Sequence, residues 1–229
     1  MKIALCLHGL VGTDDKYGIG KKTINYKIGL KHFQKHLFDV NDNVDVFLHT
    51  WSTEQEDKLV EAYNPVDFKV EDQSFFSDDP RQQAIYSRWK GVKEVMNLVA
   101  NSGKEYDFIL LTRYDIAFLV DFDFTKYDST KFYVQGPAGP FSNGLNLIND
   151  LWFFSSQENM MKFSTLFDTL KSGNYIQHKD SNHELARKHL IETGVHDNIE
   201  YIFKRDWTGA QGKLESDTPL VRWHYMKKV

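Results

Sequence analysis

The residues best equipped for chemistry stand together in Arg113-Tyr114-Asp115. They follow Phe108-Ile109-Leu110-Leu111, an apolar run of strand length, and Ile116-Ala117-Phe118 comes next. A charged pair at the end of a buried strand is costly unless it is partnered. Open α/β sheets bind ligands at the carboxyl ends of their strands. Arg113 and Asp115 therefore mark either a ligand site or an Arg–Asp pair internal to the fold. A second feature, His8-Gly9-Leu10-Val11-Gly12-Thr13, follows the apolar segment 2–8. Its glycines let the backbone turn sharply or approach a ligand, though a plain connecting turn fits as well. The spacing is not G-x-G-x-x-G, so dinucleotide binding gains no support. A literal Asp-x-Asp at Asp121-Phe122-Asp123 lies farther on and reads as an exposed strand end or turn. Asp14-Asp15 and Asp78-Asp79 read as solvated loop acids.

These residues need elements to position them. Residues 2–8 read as a first buried strand, 21–38 as a helix with Ile24, Ile28, Phe33 and Leu37 at helical spacing, and 44–49 as a second strand. A helix runs from Ser52 or Thr53, as N-cap, to Tyr63, where Asn64-Pro65 stops it. Val66–Val70 alternates as a short edge strand. The helix from about Arg81 to Asn101 buries Ile85, Trp89, Val92, Val95, Met96 and Val99 and ends at Ser102-Gly103. The first half thus reads β-α-β-α-β-α-β, the order of an α/β layer. Short strands at 132–134, 149–155, 200–203 and 220–225 follow, with helices over 157–171 and from about 182 to 193 and a Gly/Pro-rich loop at 136–144.

A chain of 229 residues with 41% hydrophobic and 26% charged residues builds a packed core and is no candidate for disorder. The net charge of −4 and the lack of a basic stripe argue against nucleic acid as partner. Cys6, the only cysteine, reads as a buried strand residue and excludes internal disulfides and a thiolate-rich metal site. No stretch reaches the ~18 apolar residues of a membrane span. Lys2 precedes too short an apolar run for a signal peptide. A soluble, cytoplasmic protein is the expectation.

Taken in order, Val44 to Trp51, Arg113-Tyr114-Asp115 and Asp150-Leu151-Trp152-Phe153 make a pattern. It resembles the GT-A nucleotide-sugar glycosyltransferases. More narrowly it looks like the microbial and viral surface-polysaccharide transferases, in which the second strand carries Val-Asp-Val-Phe-x-His-Thr-Trp. In those proteins a buried strand ends in Arg-x-Asp and an Asp-x-Trp-Phe strand follows. The resemblance covers residue 2 to about 225. It implies one GT-A-like, Rossmann-like α/β domain over 1–229 with a central mixed, mostly parallel sheet flanked by helices. The nucleotide-sugar-binding half is 1–118 and the acceptor-binding half 119–229. The activity implied is transfer of a sugar from a nucleotide diphosphate sugar donor to a glycan or other hydroxyl acceptor, metal-assisted and inverting.

A leaving nucleoside diphosphate carries dense negative charge, so a divalent cation or an Arg/Lys clamp must meet it. In the family an Asp-x-Asp supplies the metal carboxylate. Here arginine holds the first position, so only the last acid carries over. The resemblance makes Asp115 a ligand of Mn2+ or Mg2+, hard ions that prefer oxygen. Arg113 pairs with Asp115 or touches the donor. The resemblance further implies His224, in Arg222-Trp223-His224-Tyr225, as a second metal ligand, with Lys227 or Lys228 near a phosphate. An inverting transferase needs a base for the acceptor hydroxyl. Glu184 opens a helix where inverting members keep an acid, and the helix dipole favours its ionised form; a helix-capping charge is its other reading. Asp150 is the alternative base or a ligand for an acceptor hydroxyl. The donor nucleoside is expected over His8, Gly9, Thr50 and Trp51, with Arg88 reaching the pyrophosphate. Trp51 otherwise belongs to the core, and Trp152 and Phe153 either do the same or stack on a sugar face.

Two other classes fit parts of this pattern. A nucleotidyl- or phosphotransferase needs the same metal carboxylate but calls for a phosphate-binding glycine signature, which the chain lacks. A non-catalytic carbohydrate-binding module needs only the aromatics and binds no nucleotide.

Overall fold

The structure, a computed structural model, describes residues 1–11, 24–136, 148–173 and 181–202, and the backbone of 220–222. Strand β1 is Ile3–Gly9, β2 Val44–Thr50, β3 Asp67–Val70 and β4 Phe108–Arg113. Short strands follow: β5 Ile116–Phe118, β6 Phe132–Val134, β7 Phe153–Ser155, β8 Ile199–Tyr201 and β9 Leu220–Arg222. Seven of them form one sheet in the order β3-β2-β1-β4-β7-β6-β8, while β5 and β9 pair antiparallel apart from it. The first four strands run parallel, β7 is antiparallel to both β4 and β6, and β6 is parallel to β8. The expected mixed, mostly parallel α/β sheet is therefore present. Strands drawn from both sides of residue 118 share it.

Both faces of this sheet are covered, which explains why β1 and β4 are apolar without alternation. On one face Ala4, Cys6, Phe47, Ile109 and Leu111 pack under helix α3, Pro80–Asn101, through Trp89, Val92, Val95, Met96 and Val99. On the other face Leu5, Leu7, Leu48 and Leu110 meet helix α1, Tyr26–Phe33, and an aromatic group of Phe118, Phe122, Phe124, Trp152 and Phe154. Cys6 is buried, as expected, and desolvation pushes its thiol pKa far up, so it is inert.

Several boundaries differ from the sequence expectation, each for a local reason. Helix α1 starts at Tyr26, capped by Asn25, whose side chain accepts from Lys27 N at 3.1 Å, and continues as a wider turn over Gln34–Phe38. The residues expected to begin it, 21–23, lie outside the described residues. Helix α2 covers only Glu56–Tyr63, after a tight turn at Thr53–Gln55. Ser52 does not cap it, because its hydroxyl accepts from Val11 N at 2.9 Å and ties the glycine loop to β2. Asn64, in the left-handed region, ends α2 ahead of Pro65. The helix expected over 157–171 is two, α4 Gln157–Ser164 and α5 Leu166–Lys171. The Thr165 hydroxyl donates to Lys162 O at 2.8 Å and meets His189 Nε2 at 3.1 Å, which breaks the run between them. Strand β7 begins at Phe153 rather than Asn149, since Asn149 Oδ1 accepts from Leu151 N in a turn. Helix α6 spans Asn182–Glu192. No helix among the described residues is long and apolar enough to cross a membrane.

Candidate functional site

Strand β1 has β2 on one side and β4 on the other, so the chain leaves it in opposite directions. Such a reversal opens a crevice at the carboxyl ends of the strands. The register sets His8 opposite His49 on β2 and opposite Arg113 on β4. Gly9 follows with φ +118°, a conformation that favours glycine, and open space where a Cβ would stand. Because β7 runs antiparallel to β4, pairing Leu111 with Phe153, residues upstream of β7 arrive at the same rim. That brings in Asp150.

At this rim Asp115 accepts two hydrogen bonds from Arg113, Oδ1 from Nε at 2.7 Å and Oδ2 from Nη2 at 2.6 Å. The fork is side-on and bidentate, the strongest guanidinium–carboxylate geometry. Asp115 is 5% exposed and Arg113 22%. Burial opposes the arginine's charge, but Asp115 and then Asp150 outweigh it and raise its pKa. Nη1 of Arg113 is left without a partner among the described residues. Alongside, Arg88 of α3 donates Nη2 to the Asp150 carbonyl and sets Nη1 3.1 Å from Asp150 Oδ2. The third member of this corner is His183, in the first turn of α6. Its Nδ1 lies 3.3 Å from Asp150 Oδ1 and 3.0 Å from Ile148 O. His8, buried beneath, is held neutral: desolvation first, then Arg88, Arg113 and His49, push its pKa well below the ordinary imidazole value.

The structure therefore gathers His8, Arg88, Arg113, Asp115 and Asp150 of the expected site, with Gly9 beside them. Other expected residues have different surroundings. Thr50 is fully buried and its hydroxyl accepts from Ser52 N at 3.2 Å. Trp51 is buried with its ring edge-on to His49 at 4.6 Å. Trp152 and Phe153 belong to the core and not to an open acceptor face. Glu184 makes a capping box: Oε2 accepts from Ser181 N at 2.7 Å and from Ser181 Oγ at 3.0 Å, and Ser181 Oγ accepts from Glu184 N. Of the literal Asp-x-Asp, Asp121 pairs with His36 at 2.7 Å and Asp123 caps a short turn. His224, Lys227, Lys228 and the loop residues 137–147 lie outside the described residues. Sequence reasoning missed His183, although Ser181-x-x-Glu184 already spells a capping box and frees attention for the residue beside Glu184.

No protein-family model matches this chain, and no curated protein matches it.

A divalent cation needs several oxygen or nitrogen ligands converging on one point. Both oxygens of Asp115 are engaged by Arg113, and Asp150 is engaged by Arg88 and His183. Among the described residues no three His, Cys, Asp or Glu side chains come together to hold a metal. The described side chains thus do not complete a cation site. What they place at this rim are two oriented guanidinium groups, each paired with its own carboxylate. Such groups match phosphate oxygens in geometry and charge.

Proposed function

We propose that this chain is a glycosyltransferase of GT-A type that moves a sugar from a nucleotide diphosphate sugar to a hydroxyl acceptor. The observation that carries the reading is the Arg113–Asp115 fork at the carboxyl end of β4, beside the β1–β4 reversal. Open α/β sheets take nucleotides at this point. Asp115 fixes the plane of the guanidinium, and the free Nη1 is turned over to a ligand. A diphosphate leaving group gains negative charge as the anomeric C–O bond breaks, and a preoriented cation stabilises that charge without reorganising. Arg113 serves this role and Arg88 assists it. The acid–base corner is Asp150 with His183 in the first turn of α6. Mn2+ or Mg2+ held through Asp115 would require the Arg113 fork to open, because both carboxylate oxygens are engaged in it.

Thermal melting with UDP-, GDP- and dTDP-sugars, each with and without Mn2+, tests the reading. One donor class should stabilise the fold, by about 2.7 kcal/mol at a hundredfold excess over Kd. An arginine-based site gives the shift without metal; a cation-based site gives it only with Mn2+. No shift with any donor under either condition sinks the transferase reading, and a shift with glycans alone favours a carbohydrate-binding module.

A further inference from the structure

We propose that His183 is the general base that takes the proton of the acceptor hydroxyl, with Asp150 as its positioning residue; this rests on the transferase reading above. The tautomer carries the argument. Ile148 O is a backbone carbonyl and only accepts, so the hydrogen in its 3.0 Å contact with His183 Nδ1 belongs to the histidine. The neutral ring then holds its lone pair on Nε2. That nitrogen has no partner among the described residues, and the side chain is 31% exposed. Asp150 Oδ1 stands 3.3 Å from the same Nδ1, where it stabilises the imidazolium once Nε2 takes a proton. Arg88 holds the other oxygen of Asp150 at 3.1 Å. The ring is placed from outside as well, because Trp89 Nε1 donates to Asn182 Oδ1 at 3.0 Å and docks the start of α6 on α3.

The two carboxylates compete poorly for the role. Asp150 is 10% exposed and spends its oxygens on Arg88 and His183. Glu184 spends Oε2 on the Ser181 amide and hydroxyl. In the transfer step the acceptor O–H gives its proton to Nε2 while the oxygen's electron pair forms the bond to the anomeric carbon. The anomeric C–O bond to phosphate breaks, and its electrons stay on the β-phosphate oxygen facing Arg113. The products are the new glycoside, the nucleoside diphosphate and an imidazolium that returns its proton to solvent.

Slow donor cleavage with water as acceptor tests this without knowing the natural acceptor. The full chain and its His183→Ala, His183→Asn and Glu184→Gln variants are incubated with UDP-glucose, UDP-galactose, GDP-mannose and dTDP-glucose, with and without Mn2+. Release of nucleoside diphosphate and donor-induced melting shifts are both followed. For His183→Ala the donor shift should persist, cleavage should fall by ~10²–10⁴, and added imidazole should restore part of it, which a purely structural role would not permit. Should His183→Ala fail to fold, His183→Asn, whose amide keeps a donor for Ile148 O, takes its place. Glu184→Gln retains the capping box and should cleave as the wild type does. A folded His183 variant that binds donor and cleaves at the wild-type rate overturns the base and leaves the transferase reading standing. So does a loss confined to Glu184→Gln. No donor shift in the wild type overturns both, and a donor that binds but is never cleaved overturns the base and the transfer step while leaving the nucleotide-sugar site.

Discussion

Arg113 and Asp115 act as one group, and removing either member tests a different property. Asp115→Ala leaves a largely enclosed guanidinium without its counter-charge; breaking a fully buried pair costs about 3–5 kcal/mol, and less here because Arg113 is 22% exposed. Asp115→Asn is the cleaner change, since it keeps one acceptor oxygen and drops the charge. Arg113→Lys keeps the charge and loses the planar fork. We expect Arg113→Lys to melt within a few degrees of the wild type yet to lose most of its donor-induced shift and at least roughly tenfold in donor cleavage, the worth of about 1.4 kcal/mol. Unchanged cleavage in that variant would show that fork geometry is irrelevant. The charged pair was legible in the sequence, because two ionised residues closing an apolar strand must have a reason. Its geometry was not. Nothing in Arg-Tyr-Asp tells whether the arginine folds back onto the acid or leaves both oxygens open to a metal. The neighbour problem was similar in Asn182-His183-Glu184, where the acid drew the attention and the histidine made the contact.

Elements place these residues through close backbone approach as much as through side chains. Gly29 in α1 faces the turn between β4 and β5 so tightly that a Cβ there would lie 2.9 Å from Tyr114 O and 3.0 Å from Ile116 O. Those carbonyls flank Asp115, so α1 forms the backing of the turn that carries it. Gly→Ala inside a helix ordinarily gains about 1 kcal/mol, while overpacking against rigid backbone costs about 1–3 kcal/mol. The contact atoms here are main-chain, and the loss prevails. Gly29→Ala should therefore melt at a lower temperature and bind donor more weakly, and a higher melting point would show that α1 shifts freely. The long elements, β1, β2, α3, β4 and α6, were readable because burial on two faces or one stripe writes itself into periodicity. The breaks were not. Thr165 splits a helix by reaching a histidine 24 residues away, and Ser52 leaves its helix to hold Val11, both of them contacts between distant parts of the chain. The antiparallel direction of β7, which delivers Asp150, is equally invisible in a three-residue strand.

At the scale of the molecule, the buried histidines tie stability to pH. Burial depresses the folded-state pKa of His8 and of His49, which gives its Nε2 hydrogen to Glu71 at 3.2 Å. Unfolded histidine titrates near ~6.5. Between that value and the lower folded one, the unfolded chain binds more protons, so stability rises with pH and is lost as pH falls below about 6.5. Each neutral buried histidine contributes about 1.4 kcal/mol per pH unit in this window. Glu71, brought to about 2 chiefly by its bond from His49, adds a further loss as pH drops from about 4.3 toward that value. Urea unfolding at pH 7.5, 6 and 5 should show this decline and His8→Gln should reduce its slope; a flat profile would mean that the histidines bind protons alike in the folded and the unfolded chain. The sheet order has a consequence for synthesis on the ribosome. Strand β4 pairs with β1 on one side and, on the other, with β7, which lies some forty residues downstream. Until that segment is made, Phe108-Ile109-Leu110-Leu111 forms an open apolar edge, the kind of strand to which other chains add. A chain cut near residue 130 should collect as aggregates or on chaperones, and supplying β7 on a separate fragment should draw it back into solution.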